Sequence, residues 1–201
     1  MNGFMTAIGL YSYDAYMSAF EAWVAQGESS TPGASTALVG YTRLNYTRSK
    51  RIEKTVKLQP ALTSAIAQLM HQYTFMIITE SWCGDSAQNL PVIAAMAAVK
   101  PENIRIVVLL RHQHQALMDQ YLTDGARAIP KVIVLNETTG KEAFTWGPRP
   151  APAQHMLHQW KANPLQQTWD AFEQQLHTWY ANDKTATLQQ EWLALIQQFG
   201  S

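Results

Sequence analysis

The chain has 201 residues, of which 47% are apolar and 15% charged, a balance that suits one globular unit and excludes a disordered one. Fifteen basic and fifteen acidic side chains cancel, which leaves no overall positive field to gather nucleic acid or to hold an anionic membrane. No apolar run reaches the length that spans a bilayer, so neither nucleic acid nor membrane is an expected partner.

In chain order, the N-terminus has no basic residue before Arg43, and its apolar stretch is broken by Tyr13, Asp14 and Ser18, so no secretory or transit signal is expected. A single cysteine cannot form an internal disulfide and survives best in a reducing compartment, which points to a cytoplasmic protein. Residues 11–26 carry Tyr13, Tyr16, Met17, Phe20, Trp23 and Val24 at helical spacing and end at Gly27. The stretch 27–36, rich in Ser, Thr, Gly and Pro, reads as a mobile linker. From 38 to 57 the chain is basic, and Asn45, Arg48 and Arg51 fall on one helical face, more in keeping with a solvated, salt-bridged surface than with an anion site.

Pro60 opens a helix to about His71, since proline fits a first helical turn where its missing N–H has no partner. Phe75–Thr79 is a short continuous apolar run of the kind found in a strand buried on both faces. Helical periodicity resumes from Cys83 through Leu90, Ile93, Met96 and Val99, and Ile104–Leu110 reads as a second buried strand, giving a parallel crossover. A helix over 113–122 follows. Lys131–Leu135 and Glu142–Trp146 then flank a turn and read as a hairpin, and helical patterning fills the rest, broken near Asn163 and again near Asn182. Trp160, Trp169, Trp179 and Trp192 lie in helical stripes and are expected to pack against the core.

The informative segment is Glu80-Ser-Trp-Cys-Gly-Asp-Ser86, which leaves a strand and enters a helix. It places one thiol at a helix N-terminus, where unpaired N–H groups and the positive end of the helix dipole favour the thiolate. That placement favours an exposed thiol over a buried one. The pairs His112 with His114 and His155 with His158 have no cysteine or carboxylate cluster beside them, so no metal site and no cofactor are expected.

Trp82-Cys83-Gly84 resembles the active-site motif of the thioredoxin superfamily. Pro91, eight residues after Cys83, stands where that family kinks its active-site helix. Gly125-Ala-Arg-Ala-Ile-Pro130 resembles the family's loop with a cis-proline facing the cysteine. The resemblance covers about 60–160 and looks closest to bacterial thioredoxin-like proteins with Trp-Cys-Gly-Asp sites. It implies an α/β fold with a central mixed sheet, a core over 60–162, and helical extensions over 1–59 and 163–201. It also implies a cis Pro130, with the Ile129 backbone serving as a substrate groove and Arg127 close by.

The chain departs from the family at three points. Ser86 replaces the second cysteine and is expected to pair with the helix backbone, Ile77 stands where a buried acid is usual, and Asp85 takes the place of a proline. A hydroxyl cannot resolve a mixed disulfide, so dithiol turnover is blocked. Asp85 should raise the Cys83 pKa and Arg127 lower it. Glu80, three residues before Cys83, argues against a peroxidase, which needs a hydroxyl there. A monothiol glutaredoxin holding an iron–sulfur cluster shares Gly84 and Ser86 but not Asp85. Two functions fit best: monothiol thiol–disulfide exchange with protein or low-molecular-weight thiols and disulfides, resolved by an external thiol, or a binding module that has lost redox turnover. The sequence names no oligomeric state.

Overall fold

The computed structural model describes residues 10–199. Among these residues five strands form one sheet in the order β1-β3-β2-β4-β5. They are β1 (Leu10–Tyr11), β2 (Tyr73–Thr79), β3 (Ile104–Leu110), β4 (Lys131–Asn136) and β5 (Lys141–Trp146). β2 lies in the middle, parallel to β3 and antiparallel to β4, while β1 and β5 pair antiparallel at the edges. The continuous apolar run of β2 follows from that central place, for both of its faces are covered. Its register decides where chemistry can occur. Ile78 pairs with Lys131, so the residues that follow β2 and those that precede β4 meet at one end of the sheet.

Among the described residues eight helices surround the sheet: α1 (Tyr13–Gln26), α2 (Thr36–Thr55), α3 (Pro60–Ala67), α4 (Gly84–Ala97), α5 (Gln115–Met118), α6 (Ala151–Ala162), α7 (Trp169–Asp183) and α8 (Ala186–Phe199). α1 starts at Ser12, whose hydroxyl accepts from the Ala15 N–H, and stops at Gly27 in a left-handed conformation. α4 contains Pro91 and crosses from β2 to β3. The main core joins the sheet to α1, α3, α4 and α8, with Trp192 of α8 fully buried at its centre. A smaller cluster around Ile78, Leu109, Met118, Ile129 and Ile133 includes Cys83. A third joins α6 to α7 through Leu157, Phe172 and Leu176.

Several expectations need correction. β1 had no sequence signal, being two residues held by the edge of β3. The helix expected over 113–122 is only the four-residue α5. The break near Asn182 falls later, at Lys184 and Thr185, both with positive φ. Trp160 and Trp179 pack on the α6–α7 cluster rather than the main core, and Trp169 is 48% exposed. The largest departure is the stretch 27–36, which is tied down rather than linker-like, because Ser29 and Ser30 are buried against the loop after β2. The N-terminal stretch read for a targeting signal begins in residues 1–9, outside the described span.

Candidate functional site

The loop Glu80–Cys83 leaves β2, and Cys83 is the N-cap residue of α4. Antiparallel pairing of β2 with β4 brings the Ile129–Pro130 turn opposite it. That peptide bond is cis, as is the bond between Gly147 and Pro148. The Cys83 thiol donates to the Ile129 carbonyl oxygen at 3.2 Å. Among the described residues, the sheet register thus brings Cys83, Ile129 and Pro130 into one site.

The sulfur does not lie open, as the sequence motif suggested. Cys83 is 7% exposed, covered by Ile129 and Met118 on one side and by Tyr16 and Phe20 of α1 on another. Burial, followed by the charge of Asp85, pushes its pKa from 9.0 up to about 11. Hydrogen bonding from Ser86 and the charge of Arg149 act the other way without reversing the shift. A helix N-terminus favours a thiolate only when its loss of water is small, and here desolvation wins.

Asp85 is itself nearly buried. Arg149, from the turn after β5, donates to Asp85 Oδ2 through Nη2 at 2.5 Å and Nε at 3.0 Å. The Tyr180 hydroxyl of α7 donates to Oδ1 at 2.7 Å, and burial with this carboxylate beside it holds the phenol well above its ordinary pKa. Arg127 does not reach the thiol. It forks onto Asp119 at 2.6 and 2.8 Å, on an exposed face. A nearer acid captured it, and Arg149 is the guanidinium that acts on Cys83 instead. Ser86 does not simply cap its helix, since its hydroxyl accepts from Thr79 Oγ1 at 2.6 Å inside the core. Ile77 is fully buried.

On the other side of the loop Glu80 is 1% exposed. Its Oε2 accepts from Ser30 Oγ at 2.5 Å and Thr31 Oγ1 at 3.1 Å, and its Oε1 takes the His112 N–H at 2.8 Å and lies 2.9 Å from His112 Nδ1. Ser81 bonds to Ser29, Ser30 and Thr42. Asn45, expected on a solvated face, is fully buried and donates to the Ser81 carbonyl at 3.3 Å. The indole of Trp82 donates to Thr31 Oγ1 at 2.9 Å and carries the Arg111 guanidinium 4.8 Å from its ring centre. A Cβ at Gly84 would stand 3.1 Å from the His177 ring, close enough that the ring would have to give by a few tenths of an ångström.

Glu80, Arg149, Tyr180 and His177 were missed by sequence reasoning. A charged residue directly after a buried, mostly apolar strand was the one available signal, and it marked Glu80. Among the described residues no three His, Cys, Asp or Glu side chains are placed to hold a metal ion. His158 instead lies 2.7 Å from Asp124 Oδ2. No helix among the described residues is long and apolar enough to cross a membrane.

A crystal structure of a protein of unknown function from Pseudomonas aeruginosa matches with 21% identity and a TM-score of 0.56, over 94% of this chain and 98% of that one. A scaffold for an HIV epitope matches with 22% identity and a TM-score of 0.53, over 94% and 99%. At such identities the likeness establishes the fold. No curated protein matches. The family model described as thioredoxin covers residues 32–161, well over half of the sequence, and with the mixed sheet and flanking helices described above this means that the chain belongs to the thioredoxin family.

Proposed function

We propose that this protein is a cytoplasmic thioredoxin-fold binding module that has lost dithiol turnover and docks an extended protein segment at the Ile129–Pro130 loop. The observation that carries the reading is the burial of Cys83 with its pKa pushed up to about 11. At pH 7 about one such thiol in ten thousand is ionised. Ser86 in the second-cysteine position and Ile77 in place of a buried acid support it, since neither can release a mixed disulfide. Among the described residues the Ile129 N–H donates to no protein group, and although Ile129 is itself only 6% exposed, that N–H is the donor a docked strand would use once the cover moves. The unpaired cysteine suits the reducing cytosol.

A second reading is favoured by one observation, the seat of the sulfur at the start of α4, 3.2 Å from the Ile129 carbonyl. Here Cys83 exchanges with a disulfide once a partner displaces that contact. Its thiolate attacks one sulfur of the partner, forms a mixed disulfide and expels the other as a thiolate. An external thiol then attacks the adduct, regenerating Cys83 and leaving the partner bonded to it. Reaction with a disulfide reagent separates the two. The binding reading expects Cys83 at pH 7 to react at least about tenfold more slowly than a free model thiol, because ionised fraction outweighs basicity. It also expects Cys83→Ser to keep partner binding and cellular activity. A Cys83 faster than the model thiol, or a Cys83→Ser variant that binds but is inactive, would establish exchange in its place.

A further inference from the structure

The C-terminal end of α2, the middle of α4 and the turn between α7 and α8 enclose a cleft of about 440 Å³. Its rim carries Arg51, Lys57 and Lys184. Among the described residues none of these three makes an ion pair or a side-chain hydrogen bond, although the neighbouring carboxylates are all engaged. Glu53 is taken by Lys50 and Tyr13, Asp183 accepts from Thr187 at the start of α8, and Glu173 holds Tyr41. Three cations on one rim, none of them paired with an acid, offer a bound anion direct charge-assisted contacts. Beside the cleft, burial, then the charge of Arg48 and, more weakly, that of Arg51, push His177 down to about 4 against Asp85.

The cleft is also built rather than incidental. Gln189 of α8 accepts from the Gln59 N–H at 2.7 Å and donates to the Lys57 carbonyl at 3.2 Å, fixing the connection between α2 and α3 against α8. Ile52, Val56 and Tyr180 form an apolar floor. The volume falls within the range of small-molecule sites and exceeds what a lone inorganic ion fills. A guanidinium fork and two ammonium groups are the usual receivers of a phosphate.

The geometry points to a binding site for a phosphorylated small molecule in this cleft, its phosphate held by Arg51, Lys57 and Lys184 and its organic part on the floor between α2 and α7. The site does not include Cys83 and does not depend on the thiol's chemistry. Calorimetric titration of the full chain with ribose 5-phosphate, inorganic pyrophosphate and inorganic phosphate, all at one ionic strength, tests it. Expected are saturable one-to-one binding of ribose 5-phosphate, tighter than that of inorganic phosphate, and a loss of about tenfold or more in each of Arg51→Gln and Lys184→Gln. Lys141→Gln, at the exposed start of β5, should bind as the parent does, and circular dichroism should show all three variants folded. No saturable binding of any probe, or binding that survives Arg51→Gln with Lys184→Gln, or binding equally weakened by Lys141→Gln, overturns the assignment. Ribose 5-phosphate binding no tighter than inorganic phosphate, whatever the affinity for pyrophosphate, overturns its organic part.

Discussion

Two carboxylates flank the one thiol, and they are held in different ways. Glu80, on the strand side, accepts from the hydroxyls of Ser30 and Thr31 and from the His112 backbone. Asp85, on the helix side, meets the Arg149 guanidinium and the Tyr180 phenol. The donors of Glu80 come from the segment before α2 and the turn after β3, while those of Asp85 come from the turn after β5 and from α7. Asp85 and Arg149 are among the charges that move the Cys83 pKa, and Glu80 is not. One carboxylate is therefore an anchor for the N-terminal segment, and the other adds to the effect of burial on the sulfur while tying the C-terminal helices to the site. Similar chemistry three residues before a thiol and two residues after it does different work, according to what each group faces.

The sharpest way to break this comparison is to remove a partner from each side. Arg149→Ala leaves Asp85 in a site where both side chains are about nine-tenths buried, and an uncompensated buried charge costs about 3–5 kcal/mol. Denaturant unfolding should show that loss, and the change Asp85→Asn made together with Arg149→Met should recover most of it. Glu80→Gln keeps the shape but turns an amide toward donors, leaving at least one unsatisfied, for about 1–3 kcal/mol. Hydrogen exchange should locate its effect in residues 27–36. Equal losses in the two variants, or no change in exchange at 27–36, would mean that the two sides are not distinct.

The thiol adds a pH signature of intermediate size. Its folded pKa of about 11 lies above the ordinary 9.0, so between these values the unfolded chain has lost a proton that the folded chain keeps. Stability from this group is complete below pH 9 and is lost as pH rises toward 11, by about 2–3 kcal/mol. His177 gives the opposite limb, since its folded pKa of about 4 lies below 6.5. That contribution is present above pH 6.5 and lost as pH falls to 4, by about 3 kcal/mol. Unfolding free energies of Cys83→Ser and His177→Gln measured across pH should each lack the corresponding limb, and a parent curve flat at both ends would contradict both shifts.

Much of this architecture was legible in the sequence, because it rests on local patterns. The apolar runs of β2 and β3, the β4–β5 turn and the start of α4 at Gly84 each carry their own signal. The pairing of Cys83 with Ile129 followed from the motifs that flank it. What was not legible depends on contacts far apart in the chain. Arg149 lies 64 residues from Asp85 in a proline-rich turn with no periodicity. Arg127, close to Pro130 in sequence, was the natural candidate, but Asp119 eight residues away took its fork. The segment 27–36 was misread because serine, threonine and glycine form loose linkers and also line buried carboxylates. Its composition cannot separate the two, and the position of Glu80 after a buried strand was the clue that could. The exposure of Cys83 was misjudged because motif and helix dipole are local, whereas the cover supplied by α1 is not.

The smallest effect is the most discriminating. Asp85→Asn removes a charge that raises the Cys83 pKa and leaves the Arg149 guanidinium uncompensated, so both changes lower it. A fall on the order of one unit from about 11 is expected, read from thiolate absorbance against pH. Glu80→Gln should leave that titration in place while loosening residues 27–36. Burial, the first cause of the shift, persists in both variants, so neither should bring the thiol below its ordinary value. A thiol unmoved by Asp85→Asn would reduce the helix-side carboxylate to the structural role of its counterpart. A thiol moved equally by Glu80→Gln would mean that the sulfur responds to the net charge of the loop, whatever the partners that hold each acid.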